Sequence, residues 1–135
     1  MQKTGYLGLW QYGTGRYQVF LAVYGSGGRG LCAFLYGGER PHTGGVAYAV
    51  PRPRSGGQGV TADISTICAP GHKDVRAAEA IAKALCIPTQ EAISLTAGIH
   101  IDQANQAEIQ LLLKNCQAVA NQFIQDYCTA TNQNR

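Results

Sequence analysis

The segment "NQAEIQLLLKNCQAVANQFIQDY" (residues 105–127) is the clearest helix in the chain. Asn105, followed three positions later by Glu108, predicts a capping box at its start. The apolar residues beyond it recur at helical spacing and form one continuous stripe: Ile109, Leu112, Leu113, Cys116, Val119, Ala120, Phe123, Ile124 and Tyr127. A stripe of this length needs a second layer of structure to cover it. Residues 129–135 lack the pattern and are predicted to form a flexible tail.

The covering layer is predicted to be a β-sheet formed upstream. Segments rich in aliphatic, aromatic and β-branched residues, separated by glycine-rich turns, predict the strands. These segments are residues 6–12, 17–24, 31–36, 45–50, 60–69 and 92–99. The intervening "GSGGRG" (25–30) predicts that the second and third strands form a hairpin. "PRPRSGGQG" (51–59) is predicted to be a surface loop, because its prolines lack the donor that a central strand needs.

A second, shorter helix is predicted between the last two strands. The apolar period changes after Pro70-Gly71, and Pro88 is predicted to stop the helix. The residues at helical spacing are Val75, Ala78, Ile81, Ala82 and Leu85. The order of elements predicts one α+β domain over residues 1–128, a mostly antiparallel β-sheet or sandwich with two helices packed on it.

Composition narrows the class of protein. The net charge is +3 over 135 residues, and the Lys and Arg residues are scattered, so we expect no nucleic-acid partner. No signal peptide and no stretch long enough to cross a bilayer is visible, which favours a cytoplasmic protein without a membrane partner. The five cysteines fit neither a disulfide framework nor a zinc ribbon. Cys68 and Cys116 lie in apolar periodic segments and are predicted to behave as small hydrophobic residues.

Three histidines, each near a glycine, lie at the ends of predicted elements: His42 in "RPHTGGVA", His72 in "APGHKD" and His100 in "AGIHID". A turn or capping role explains any one of them. Their shared setting favours a common site. Three His ligands would suit zinc, but the close His-x-x-x-His spacing is absent, and no Gly-x-Ser-x-Gly elbow indicates a hydrolase.

The junction "APGHKD" is suited to an anion. Free N–H groups and the helix dipole favour a phosphate or carboxylate near Gly71 and His72, and Lys73 would add a full charge. Equally, Lys73 could simply be solvated, with Asp74 favourable to the dipole. The P-loop spacing is absent, so ATP is not expected.

The turn "ERPHTGGVAY" offers further contacts. Thr43 provides a hydroxyl and Arg40 a planar donor for anions. Gly44 and Gly45 leave room for the backbone to approach a ligand closely, or else serve a bulge at the start of the strand. In "GIHID", Asp102 either joins His100 in the site or shapes the turn before the helix.

Three segments, in this order and at these intervals, resemble the small accessory component of gallate-type decarboxylases, the prenylated-flavin chaperone-like family: "RPHTGGVAYA", "ISTICAPGHKD" and "TAGIHIDQANQAEI". The resemblance covers residues 38–125. It implies the fold of the small proteasome assembly chaperones, which commonly pair as dimers. It also carries cofactor-binding roles over to His42, Gly44, Gly71, His72, Lys73, Gly98, His100 and Asp102. Thr43 and Gly45 depart from the family pattern, and Thr43 stays a candidate through its hydroxyl.

The resemblance implies an accessory protein that binds or delivers prenylated FMN, or FMN, for a UbiD-type decarboxylase, without catalysing the reaction itself. A homodimer is expected, and no catalytic or metal-binding residue is predicted. One alternative is a protein-assembly module that holds a partner subunit and binds no small molecule. Another is a small enzyme acting on an anionic or aromatic acid.

Overall fold

Two helices pack on one face of a six-stranded sheet in this computed structural model, which describes residues 3–71 and 74–133. The strands are β1 (Thr4–Tyr12), β2 (Val19–Ser26), β3 (Leu31–Gly38), β4 (Gly45–Pro53), β5 (Val60–Cys68) and β6 (Ile93–His100). The helices are α1 (Asp74–Thr89) and α2 (Gln106–Gln133), and a short 3-10 turn spans Gly15–Tyr17. The α+β class, with two helices on a mostly antiparallel sheet, is therefore confirmed.

The strand order is β1-β2-β3-β6-β4-β5, so the last strand in the chain lies inside the sheet. α1 carries the chain from β5, at the sheet edge, back to this central position. β6 pairs parallel with β3, from Leu31 opposite Ile93 to Gly38 opposite His100, and antiparallel with β4. Because β3 and β6 run in the same direction, the segments that follow them leave the sheet at the same end.

The core lies between the sheet and the helices. α1 packs against β4, β5 and β6, and α2 packs against β1 and β2. Side chains alternate along β2, β3, β4 and β6, so that every second residue over most of each of these strands is buried against the helices. The largest fully buried side chains are Phe123, Leu21, Leu35, Leu85, Ile93 and Leu95. In the part of the chain that the structure describes, no helix covers the opposite face of the sheet.

The start of α2 has the predicted capping box. The Asn105 N–H donates to Glu108 Oε1 at 3.1 Å, and the Glu108 N–H donates to Asn105 Oδ1 at 2.8 Å. Two backbone donors at the helix start are thereby satisfied reciprocally. The helix continues to Gln133, into the segment 129–135 for which the sequence predicts a tail. Once a helix has formed, each further residue that is fixed adds a hydrogen bond, so extending the helix is more favourable than starting it.

The predicted apolar stripe of α2 is wrong at two positions. Six of its nine members are buried: Leu112, Cys116, Val119, Ala120, Phe123 and Tyr127. Ile124 is half-buried, whereas Ile109 is 39% exposed and Leu113 46% exposed. These two side chains face a cleft between the helices rather than the core.

Both proline-based boundaries are also wrong. β4 includes Pro51 and Pro53, because β6 pairs with β4 only as far as Ala49 and the prolines therefore occupy an edge position. Pro88 lies inside the last turn of α1, not beyond it. The Thr89 hydroxyl donates to the Leu85 carbonyl at 2.6 Å, which helps to close that turn.

The two cysteines have different environments. Cys116 is buried, as predicted, whereas Cys68 is exposed. Cys68 ends β5, which is an edge strand, so alternation along the sequence does not place it in the core. As for a membrane, no helix in the described residues combines the length and apolar character needed to cross one.

Replacing Asn105 with alanine tests the capping box. The substitution removes the side-chain acceptor for the Glu108 N–H, so we expect the free energy of unfolding to fall by about 1 kcal/mol. Urea denaturation followed by circular dichroism measures this. Asn105→Asp keeps the acceptor and is expected to stay close to wild type; equal stability of all three proteins would contradict a capping role.

Candidate functional site

A cleft of about 480 Å³ lies between α1 and α2 at the end of the sheet where β3 and β6 finish. Its walls come from the β3–β4 loop, the start of α1, the turn after β6 and the first half of α2. This volume falls within the roughly 300–1,000 Å³ that is typical of small-molecule sites in proteins. The parallel pairing of β3 and β6 brings these segments together.

His42 forms part of one wall through two hydrogen bonds. Its Nδ1 lies 2.9 Å from the Arg40 carbonyl oxygen, and its Nε2 lies 2.9 Å from Asp74 Oδ2. Both partners are acceptors, so only the doubly protonated imidazolium can donate to both. The Arg40 carbonyl is the main cause of the raised pKa of His42; partial burial opposes it and Asp74 supports it. The arrangement therefore favours a cationic His42 next to an anionic Asp74.

Asp74, the first residue of α1, connects three elements at this wall. Besides facing His42, its carboxylate accepts a hydrogen bond from the Ile99 N–H in β6, at 3.0 Å from Oδ1. Its side chain is only 10% exposed. The sequence indicated an interaction with the helix dipole alone, whereas the structure shows that Asp74 also holds the start of α1 against β6 and the β3–β4 loop.

Gly44 and Gly98 make this close packing possible. A Cβ atom at Gly44 would collide with the Asp74 carboxylate, and one at Gly98 would collide with the His42 carbonyl. Gly45 similarly lies against the backbone of Val75. The space that the sequence assigned to a ligand or a bulge beside Gly44 and Gly45 is therefore filled by the start of α1.

His100 lies across the cleft mouth in a second polar cluster. Its Nε2 is 3.1 Å from Asp102 Oδ1, and Arg40 Nη2 donates to Asp102 Oδ2 at 3.2 Å. The Asp102 N–H in turn donates to Glu39 Oε1 at 2.9 Å. Asp102 thus orients His100 and Arg40 and shapes the turn, but it is not among the described residues that line the cleft.

Arg16 is a supporting residue that the sequence analysis missed. Its Nη2 donates to the Asp102 carbonyl at 2.7 Å and lies 3.6 Å from Glu39 and 3.7 Å from Glu108. The 3-10 turn is thereby tied to the turn that leads into α2. Arg16 and Asp102 are 86 positions apart, so no local pattern could have revealed the contact.

Tyr17, in the same 3-10 turn as Arg16, holds Glu108 in place through a hydrogen bond. The Tyr17 hydroxyl donates to Glu108 Oε2 at 2.7 Å. This bond is the main cause of both the raised pKa of Tyr17 and the lowered pKa of Glu108. Glu108 therefore serves the capping box and anchors the N-terminal part of α2 beside the cleft.

The predicted site residues divide into four groups. His42, Gly71 and His100 line the same cleft. Gly44, Gly98 and Asp102 support its walls, whereas Thr43 is exposed and is not among the described lining residues. His72 and Lys73 lie outside the described residues. The structure thus brings two of the three histidines together, and a cofactor-binding role for any of these residues stays a prediction.

The deepest chemistry-bearing group in the cleft is Cys116, which the sequence analysis did not place in a site. Burial, with a smaller contribution from Asp74, raises the pKa of its thiol to about 12. The thiolate, which is the nucleophilic form, is therefore scarce near neutral pH. Among residues 3–71 and 74–133, no group of three or more His, Cys, Asp or Glu side chains is arranged to hold a metal ion.

A known protein family matches most of the chain. The family model described as a prenylated flavin chaperone LpdD-like domain matches residues 13–128. This span contains the sheet from β2 onward, α1 and every described residue that lines the cleft. No curated protein matches the chain.

The His42–Asp74 pair predicts a pH-dependent contribution to stability. Because the pKa of His42 is raised on folding, its contribution is fully present below the unfolded value of about 6.5 and is lost as pH rises through the folded value. NMR titration of the imidazole protons should give a pKa above about 6.5 in the wild type and a lower one in Asp74→Asn.

Stability measurements provide the second readout. Urea denaturation at about pH 5.5 and about pH 8.5 should show that His42→Gln loses more stability, relative to wild type, at the lower pH. Thr43→Ala, next in the chain and not titratable, serves as the control. A stability gap for His42→Gln that widens toward alkaline pH would contradict the assignment.

Proposed function

Because the chain belongs to the prenylated flavin chaperone LpdD-like family, we propose that it binds prenylated FMN in the cleft between α1 and α2 and delivers it to a UbiD-type decarboxylase. The observation that carries the proposal is the composition of the cleft, which joins a polar, cationic region to an apolar one. A flavin mononucleotide has the same division, with a phosphate at one end and a flat ring system at the other.

The polar region suits the phosphate. Arg76 lies in the first turn of α1, is exposed at the cleft, and makes no ion pair within residues 3–71 and 74–133. The charge of His42 is balanced by Asp74, so Arg76 supplies the uncompensated positive charge among the described lining residues. The N-terminal end of a helix also favours anions, and Gly71 lies three positions before Asp74, the first residue of α1. We therefore place the phosphate between Gly71 and Arg76.

The apolar region suits the ring system. Ile99, Ile101 and Ala104 line the cleft on the sheet side, and Leu112 and Cys116 line it from α2. Such surfaces bind flat aromatic rings by burying them from water. The protonated Cys116 thiol is a poor nucleophile, so it can contact a reactive flavin without adding to it. These residues fit the prenylated flavin that the description of the family names.

An accessory role follows from what the cleft residues can do. They bind, orient and shield a ligand, and the exposed His100, Arg76 and Gln106 at the mouth leave a path for its release. In this proposal the chemistry that the flavin supplies takes place in the partner decarboxylase. We place both proteins in the cytoplasm.

A second candidate function, holding a protein partner, is favoured by the uncovered side of the sheet. Of the ten exposed large apolar side chains among the described residues, six lie there and define what we call the open sheet face: Tyr6, Leu9, Tyr24, Tyr48, Val50 and Ile67. Clusters of exposed apolar side chains indicate interaction sites. We propose that this face pairs with a second copy to form a homodimer, which is compatible with flavin binding in the cleft.

Filling the cleft tests the flavin proposal. Ala104→Trp places a large ring in the cleft, whereas Ala107→Trp adds the same ring to an exposed position three residues later that does not line it. Titration of prenylated FMN or FMN, followed by flavin fluorescence, should show at least about tenfold weaker binding for Ala104→Trp only. Unchanged binding by Ala104→Trp, or no binding by wild type, would contradict the proposal.

Charging the open sheet face tests the second candidate. Tyr48→Glu combined with Ile67→Glu should convert a dimer of twice the 14.4 kDa chain mass into a monomer in analytical ultracentrifugation. Gln117→Glu, on the exposed side of α2, is the charge control. Suppose that wild type binds no flavin, and that the decarboxylase is captured by Ala104→Trp but not by the doubly charged variant. The protein would then hold a partner subunit rather than deliver a flavin.

A further inference from the structure

Core packing does not explain why two exposed positions on α2 carry large apolar side chains. Ile109 and Leu113 lie one turn apart on the helix, are 39% and 46% exposed, and both line the cleft. Side chains four positions apart are neighbours on a helix surface, so together they form one apolar patch. A single exposed leucine is ordinary, but a paired patch on the wall of a cleft indicates a ligand surface.

We propose that Ile109 and Leu113 form a prenyl-selective wall, which contacts the hydrocarbon by which a prenylated flavin differs from a plain one. The inference rests on the proposed flavin-binding function and names the part of the cleft that distinguishes the two cofactors. Prenylation adds a branched five-carbon unit to the flavin ring system. That unit carries no charge and gains from burial against aliphatic side chains.

The arrangement of charge within the cleft supports this placement. Among the described residues, the acidic and basic side chains that line the cleft come from the β3–β4 loop, from α1 and from the end of β6: His42, Asp74, Arg76 and His100. The α2 wall contributes Ile109, Leu112, Leu113 and Cys116, with Gln106 as its one polar member among the described residues. A ligand whose phosphate is held beside α1 therefore meets its apolar surroundings on the α2 wall.

The exposure of the patch distinguishes its role from that of the deeper residues. Leu112 and Cys116 are nearly fully buried, so they offer the ring system only the small part of their surface that reaches the cleft. Ile109 and Leu113 leave apolar surface open to water, and a bound hydrocarbon would cover it. Plain FMN, which lacks the added unit, covers less of that surface and should gain less from it.

The test compares the affinities of two flavins for matched variants. Ile109→Gln combined with Leu113→Gln makes the wall polar without changing its charge, and Leu111→Gln is the control, because Leu111 is also 39% exposed on α2 but does not line the cleft. Fluorescence titration should show prenylated FMN bound about tenfold more weakly by the double variant, with FMN affinity nearly unchanged. Leu111→Gln should retain wild-type affinity for both flavins.

The conservative pair Ile109→Val and Leu113→Met keeps the wall apolar and should keep the preference for prenylated FMN, which separates chemical character from loss of folding. If the double Gln variant keeps the wild-type ratio of affinities for the two flavins, whether or not both affinities fall, the selective wall is overturned. The proposed flavin-binding function would still stand. If wild type binds neither flavin, the proposed function itself fails.

Discussion

The carboxylate of Asp74 is the contact on which the cleft depends. It accepts the Ile99 N–H from the central strand and faces the His42 ring, so the first residue of α1 is fixed to the sheet and to the β3–β4 loop at once. The small residues Gly44 and Gly98 exist beside this contact because any side chain there would displace the carboxylate or the His42 backbone. A carboxylate that is only 10% exposed and accepts from two donors is a rigid support, and the cleft takes its shape from it.

Local chemistry made much of the fold predictable. The capping box joining Asn105 to Glu108, the helical spacing and the strand segments are short-range patterns, and the structure contains them. The errors arose where partners distant in sequence decide the outcome. Pro51 is tolerated because β6 stops pairing at Ala49, and Cys68 is exposed because β5 lies at the sheet edge.

The sequence predicts several residues of the candidate site, but not that they meet in one cleft. His42 and His100 were singled out by their glycine neighbours, yet only the parallel pairing of β3 with β6 puts them in one cleft, and strand order is a non-local property. Arg16, which supports the turn before α2, gave no signal because its partner is 86 positions away. Leu113 is exposed although the sequence predicts it to be buried, because it lies at helical spacing from the buried residues of α2.

The central position of β6 has a consequence for how the protein is made. The β1–β2–β3 meander and the β4–β5 hairpin contain contacts close in sequence, but β6 is the strand that joins these two halves into one sheet. During synthesis, the halves therefore stay unconnected until β6, which ends at His100, has left the ribosome. The cleft forms only after that step, so the capacity to hold a ligand there marks a chain whose folding is complete.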